Sequence, residues 1–394
     1  MTISPIRIGY CLSLTGPLSG NSRSAQLAHE IWRDDVNRRG GVLGRSVELI
    51  CYDDEGDASR GGPLYTRLID EDRVDLVVGG YGTNSLLAAM PQIISRQRFF
   101  VGLMGLGANN VLEYPNYFAM IPTGPDPNVA LTEGFFEAAA RQSPRPTTVA
   151  LLSADAVFSS NPILGGRQNA AKYGFDVVHE ASYPLTTTDF ALYLDEAAKS
   201  GSDVLFLCSY LQDTVNLVRA LDRHPFQPKI VGAAMIGPQN THVKSELGPL
   251  LNGIVNYEYW VPAPSLAFEG VAELLETYRS RSTGTDLDAL GHYMAPLAYA
   301  QMQVVSQAIE GTGSLDDAVL SEFTRHASFS TVMGGVTFGT RGEWTNPRVL
   351  QVQFQGITGH DLDQFREGSR QVVVAPQEMA SGSLIYPFAK ARTR

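Results

Sequence analysis

Cysteine is scarce in this chain: three among 394 residues, at Cys11, Cys51 and Cys208. That is too few for a disulfide scaffold. Each lies in an apolar run, where a free thiol behaves as a small hydrophobe. Cys11 and Cys51 fall in strands that can be neighbours, which leaves a bridge between them open. Long hydrophobic runs are missing too; no stretch approaches the roughly 20 apolar residues of a membrane span. The opening MTISPIRIGYCLSL lacks the basic segment, apolar segment and small-residue cleavage site of a secretory leader. The sequence therefore reads either as cytoplasmic or as a mature or shortened form. Positive charge is outnumbered, with 30 Lys and Arg against 41 Asp and Glu, a net −11. That balance argues against nucleic acid or an anionic membrane as the main partner.

Enzyme signatures are absent as well. There is no phosphate-binding Gly-x-x-x-x-Gly-Lys-Ser/Thr loop, no Gly-x-Ser-x-Gly elbow, no Cys-x-x-Cys and no His-Glu-x-x-His. The seven histidines are scattered without metal-ligand spacing, so neither a metal nor a cofactor is expected. His292, near a helix start, reads as a cap or surface residue and not as a catalyst. GLGANN (105–110) lacks the third glycine of a dinucleotide fingerprint. DDEGD (53–57) reads as a strand end and helix cap and not as a metal site.

What is present is rhythm. A hydrophobic fraction of 44% with 18% charge marks a globular chain, and its length suits two or three domains. Short apolar runs alternate with amphipathic segments. Strands are expected at 6–14, 47–52, 74–80 and 99–104, and helices at 22–38, 59–72 and 84–96. The turn cluster PTGPDPN (122–128) marks a crossover, after which the rhythm restarts. Strands at 148–154, 175–183, 203–210 and 229–235 alternate with helices at 161–173, 189–199 and 212–223. After 252–260 come three helices, at about 266–281, 290–310 and 315–327, expected to return to the first lobe. A β-like tail follows at 336–338, 349–355 and 371–376. Alternating strands and helices mean βαβ units and parallel sheets.

Ligands of such sheets bind beyond the carboxyl ends of the strands. Four groups of loops stand there. The first, SLTGPLSGNS (13–22), offers Asn21 or Ser22 as a helix cap. The second, GGYGTNS (79–85), carries Tyr81, Thr83 as an N-cap, and Asn84; free N–H groups at that helix start can hold a carboxylate or amide oxygen. The third is GLGANN, with Gly107 and Asn109. The fourth, in the second half, is SADAVFSS (153–160) with CSYLQD (208–213), carrying Phe158 and Tyr210. Polar donors in one half and aromatics in the other suit a small enclosed ligand.

The segments IGYCLSLTGPLSG, DDVNRRGGVLGRSVELICYDDEGD and LIDEDRVDLVVGGYGTNS, with the tail VQFQGITG…VVVAP…YPF, resemble the type I periplasmic binding proteins of branched-chain amino acid and amide uptake systems. The resemblance implies two doubly wound α/β lobes joined by three hinge crossovers. It places residues 1–124 and 256–330 in an N-terminal lobe, and 125–255 and 331–394 in a C-terminal lobe. It also implies a ligand held by lobe closure, delivery to a membrane ABC permease, no catalysis, a periplasmic location and a monomer. By the same resemblance Thr83 and Asn109 match the residues that hold a ligand carboxylate, and Phe158 and Tyr210 match second-lobe aromatics. Met235 and Tyr257 border the same site, and Tyr257 and Trp260 can extend the aromatic wall. The acid that binds an amino group in the family is replaced by Ala234 in VGAAMIGPQN. An ammonium closed in without a carboxylate is costly. The expected ligand is therefore a carboxylate or amide without an amine, such as an aromatic acid, unless a Glu or Asp from another loop, for example Asp155, supplies the acid. VGGYGTNS also resembles amide-sensing cytoplasmic regulators of the same fold, the alternative reading.

Overall fold

The computed structural model describes residues 4–392; residues 1–3, part of the stretch searched for a leader, lie outside the described residues. The chain folds as two compact units, the first from Met1–Pro125 and Phe268–Pro347, the second from Asp126–Ala267 and Arg348–Arg394. It passes between them three times, at residues 125/126, 267/268 and 347/348. These crossings differ from the expected 124/125, 255/256 and 330/331. Strand residues 256–258 complete the second unit's sheet, and residues 331–347 stay with the first.

The first segment contains β1 (Ile6–Leu12), α1 (Ser19–Arg38), β2 (Val47–Asp53), α2 (Gly61–Thr66), β3 (Leu76–Val78), α3 (Thr83–Ser95), β4 (Phe100–Gly102), α4 (Ala108–Val111) and β5 (Tyr117–Ala119). β1 is buried along its length apart from half-buried Arg7, as an interior parallel strand must be. Its strands order as β2-β1-β3-β4-β5, every pair parallel. The order turns back between β1 and β3, so the loops after these strands flank the crevice where open α/β sheets take ligands.

The second segment contains α5 (Pro127–Ala140), β6 (Thr148–Ala154), α6 (Val157–Lys172), β7 (Asp176–Tyr183), α7 (Ala191–Lys199), β8 (Val204–Ser209), α8 (Leu211–Arg223), β9 (Ile230–Met235), α9 (Thr241–Leu247) and β10 (Ile254–Glu258). The third adds α10 (Val271–Ser282), α11 (Ala295–Thr312), α12 (Asp317–His326) and the hairpin β11 (Ser328–Thr331) and β12 (Gly334–Thr337) to the first unit. α11 packs along α1, so the late helices do return to the first unit. Trp32 and Ile31 of α1 are each 1% exposed, worth about 1.5–3 kcal/mol apiece in apolar burial. The last segment, β13 (Leu350–Phe354), β14 (Gln371–Ala375) and α13 (Phe388–Arg392), returns to the second unit. There the order is β14-β13-β10-β9-β8-β6-β7. The five strands from β10 to β7 are parallel, but β13 is antiparallel to both its neighbours, so this sheet is mixed. Its order turns back between β6 and β8.

Several expectations are corrected. The PTGPDPN cluster is half turn and half helix start: Asp126 caps α5 by accepting from Val129 N at 3.3 Å, and Pro127 opens the helix. The expected helix 59–72 is present but irregular, running without a break as a 3₁₀ turn (Ala58–Arg60), the short α2 and a π turn (Arg67–Glu71). Cys11 and Cys51 are free. The register sets Cys51 opposite Tyr10 and Cys11 opposite Tyr52, so the two thiols project from opposite faces of the sheet. Burial pushes the Cys51 thiol up to about 12 and Cys11 higher, which leaves both protonated and unreactive. DDEGD does end a strand and cap a turn: Asp53 accepts from Leu14 N, and Asp57 from Ser59 N. Among the described residues, no group of three or more His, Cys, Asp or Glu is arranged to hold a metal, and no helix is long and apolar enough to cross a membrane.

Candidate functional site

In the first unit the candidate residues gather at the ends of β1, β3 and β4. Gly80 lies so close to β1 that a Cβ would sit 2.0 Å from Cys11 O. Beyond it, Met104 N donates to Gly80 O at 3.3 Å and Gly82 N to Met104 O at 3.1 Å, joining the loops after β3 and β4. Thr83 is not an N-cap. Gly82, at φ 108°, holds that position, and α3 begins at Thr83 with no side chain capping it. The Thr83 hydroxyl instead accepts from Leu106 N at 3.1 Å, so its own proton is left for an acceptor. An uncapped first helical turn and a hydroxyl proton are both groups that can donate to an oxygen-bearing anion. Asn84, in the same turn, is exposed.

Asn21 and Ser22 are not caps either; α1 begins at Ser19, and both lie in its first turn. Asn21 Nδ2 donates to Tyr81 OH at 2.8 Å, while Ser22 is fully buried. Tyr81 is 7% exposed, and burial raises its hydroxyl above the ordinary value despite the Asn21 and Tyr293 hydrogen bonds. Tyr293 meets Tyr81 edge-on with centroids 6.5 Å apart. Nothing in the loop pattern pointed to Tyr293, because it comes from the late helical segment. Gly107 is the left-handed N-cap of α4, at φ 69°. Asn109 is 8% exposed and donates one amide N–H to Arg341 O at 2.6 Å, a bond within the first unit. His292 is neither cap nor surface: it is 4% exposed, and Met294 is the N-cap of α11.

In the second unit, Phe158 and Tyr210 come together beside the β6/β8 turning point. Their rings meet edge-on at 6.0 Å, and Phe158 N donates to Tyr210 OH at 3.1 Å. That bond satisfies a first-turn donor of α6, whose N-cap Ala156 offers no side chain. Phe158 thus lies inside a helix and not in a loop. Tyr257 adds a third ring, 6.4 Å from Phe158. Trp260 donates its indole N–H to Leu266 O at 3.0 Å. Ala234 and Met235 are fully buried in β9, opposite Cys208 and Ser209. Asn256 seals Met235 by accepting from its N at 2.9 Å and donating to its O at 2.8 Å. The acids nearby are engaged or exposed. Asp213 accepts from Tyr210 N at 2.9 Å and Tyr183 OH at 2.8 Å. Glu258, 1% exposed, lies 3.9 Å from equally buried Lys244. Asp155 is exposed.

The model of the periplasmic binding protein family matches residues 5–356. The chain is 23% identical over 367 residues to Leu/Ile/Val-binding protein homolog 8 of Brucella abortus, covering 90% of this chain and 89% of that one. Among solved structures it is similar to a putative branched-chain amino acid ABC transporter protein from Silicibacter pomeroyi, with TM-score 0.78, 18% identity and coverage of 98% and 99%. It is also similar to a solute-binding protein from R. palustris in complex with benzoate, with TM-score 0.74, 13% identity and coverage of 96% and 98%. The chain therefore belongs to the periplasmic binding protein family, in its type I, leucine-binding-protein-like branch.

Proposed function

We propose that the chain is the solute-binding component of an ABC uptake system, acting outside the cytoplasmic membrane with a membrane permease. Its ligand is a small carboxylate or amide that carries no amino group, with an aromatic acid as the leading class. Thr83 and the first turn of α3 hold the polar head, with Tyr81 beside it. Phe158, Tyr210 and Tyr257 provide the surface for an apolar body, and capture proceeds by closure of the two lobes. Asn84 and Gly107 flank the head group. Asn21, Ser22 and Asn109 support the loops, and buried Ala234 and Met235 shape the second unit from behind.

The amine-free reading rests on Ala234, which stands where the resemblance expects an amine-binding acid; Asp213, the buried acid next to Tyr210, already accepts from Tyr210 N and Tyr183 OH. An ammonium would have to be met by exposed Asp155, or pay for a charge without a counterion. The R. palustris relative bound to benzoate supports an aromatic acid on this fold.

The test is a thermal-shift panel of leucine, valine, short amides, urea and benzoates. A ligand at a hundred times its Kd adds roughly 2.7 kcal/mol. Benzoates are expected to raise Tm, and Thr83→Ala to weaken binding at least tenfold by calorimetry. A shift with leucine that Asp155→Asn abolishes would overturn the amine-free reading.

A further inference from the structure

Gln301 lies within α11 among alanines and aliphatic residues and is fully buried. A buried amide without partners is costly, so its contacts need an account. Nε2 donates to Gly79 O at 2.8 Å and to Val101 O at 2.7 Å. Gly79 N also donates to Val101 O at 2.8 Å. With both amide protons spent on carbonyls, Oε1 is left to accept from His29 Nε2 at 2.9 Å, which fixes His29 as the Nε2–H tautomer. The His29 ring is held edge-on against Tyr10, with centroids 4.8 Å apart.

One amide thus joins α1 and α11 to Gly79, just past β3, and to Val101 within β4. Tyr81 and Thr83 follow the first tied carbonyl by two and four residues. Leu106, the donor to Thr83, follows the second by five. A carbonyl just past β3 and one within β4 are held by the same amide, and the loops that follow are joined to each other by the Gly80, Gly82 and Met104 bonds. We infer that Gln301 is a positioning residue for the head-group loops: with His29 orienting its amide, it fixes the spacing between the Tyr81–Thr83 loop and the Leu106–Asn109 loop without touching a ligand. Only the effect on affinity rests on the proposed function; the loop spacing can be measured on the ligand-free protein.

The test begins with the wild type. Nuclear magnetic resonance should detect coupling across the hydrogen bonds from Gln301 Nε2 to the carbonyl carbons of Gly79 and Val101. Gln301→Met keeps the bulk and removes both donors. In that variant, exchange of the Gly82, Met104 and Leu106 amides is expected to speed up at least tenfold, with strand β1 unchanged. His29→Gln, which can place an N–H at the same point, is expected to restore protection that His29→Leu loses. With benzoate and L-leucine as probes, Gln301→Met should weaken whichever binds wild type at least tenfold, and His29→Gln less than threefold. Absent coupling with unaltered exchange in Gln301→Met overturns the inference. So does exchange that rises equally in β1 and both loops, because that is lost stability and not lost positioning. If wild type binds neither probe, the ligand reading fails while the exchange result still decides the tie.

Discussion

His29 is a histidine that folding keeps neutral. Burial lowers its pKa from the ordinary 6.5 to about 4, although the Gln301 hydrogen bond opposes the shift. Between those values the unfolded chain binds a proton that the folded chain refuses. The stability that His29 contributes is therefore complete above about pH 6.5 and is lost as pH falls toward 4, by up to roughly 3 kcal/mol. Urea denaturation at pH 7, 5.5 and 4.5 should show this slope in wild type and a shallower one in His29→Gln. Equal slopes would assign the acid sensitivity to other groups. The same scale explains what the sequence concealed at the site. Thr83, Asn21 and Ser22 have the chemistry of caps, but α3 and α1 begin at Thr83 and Ser19, so their side chains serve other partners. Gln301 carried one legible sign, a polar residue inside an apolar helix. Its partners lie 200 to 272 residues away, beyond any local pattern.

At the scale of elements, the interior strands were legible because parallel strands buried on both faces are continuous apolar runs, as in β1, β6 and β8. α5 was not. Leu131, Phe135, Phe136, Ala138 and Ala139 are all buried, so its apolar face is too wide to show a clear period. β5 is not among the expected strands, although its run YFAMI (117–121) is as apolar as those around the equally short β3 and β4. The helix expected at 59–72 forms, but its regular α portion is only Gly61–Thr66, set between a 3₁₀ and a π turn; Gly61, Gly62 and Pro63 suit a long helix interior poorly. Edges show a different kind of design. β7 ends the second sheet, carries exposed Val177 and Val178, and has an irregular register against β6 at that point, which blunts it as a template. β11 is closed by α11 instead: Gln307 exchanges two hydrogen bonds with Ser330, and Gln303 Oε1 accepts from Val332 N at 2.8 Å. Val332 is 2% exposed, so Gln303→Leu should leave its N–H unmet. The expected loss is about 1–3 kcal/mol in chemical denaturation, with the hairpin amides the first to exchange.

For the molecule as a whole, the two units are each assembled from separated stretches of chain. The N-terminal stretch supplies a complete five-stranded sheet and α1, but the helix that covers α1 belongs to the third stretch. Residues 1–125 made alone are therefore expected to show no cooperative thermal transition and to expose apolar surface to a hydrophobic dye. A cooperative transition would mean that the late helices are dispensable for that core. During synthesis this discontinuity becomes a delay. Gln301 is added 222 residues after Gly79, which at about 5–20 residues per second is roughly 10–45 seconds of unprotected waiting. Throughout that interval the loops proposed to hold the ligand head lack the amide that ties them. If the proposed function holds, a nascent chain is not expected to grip a ligand head until its third stretch has emerged.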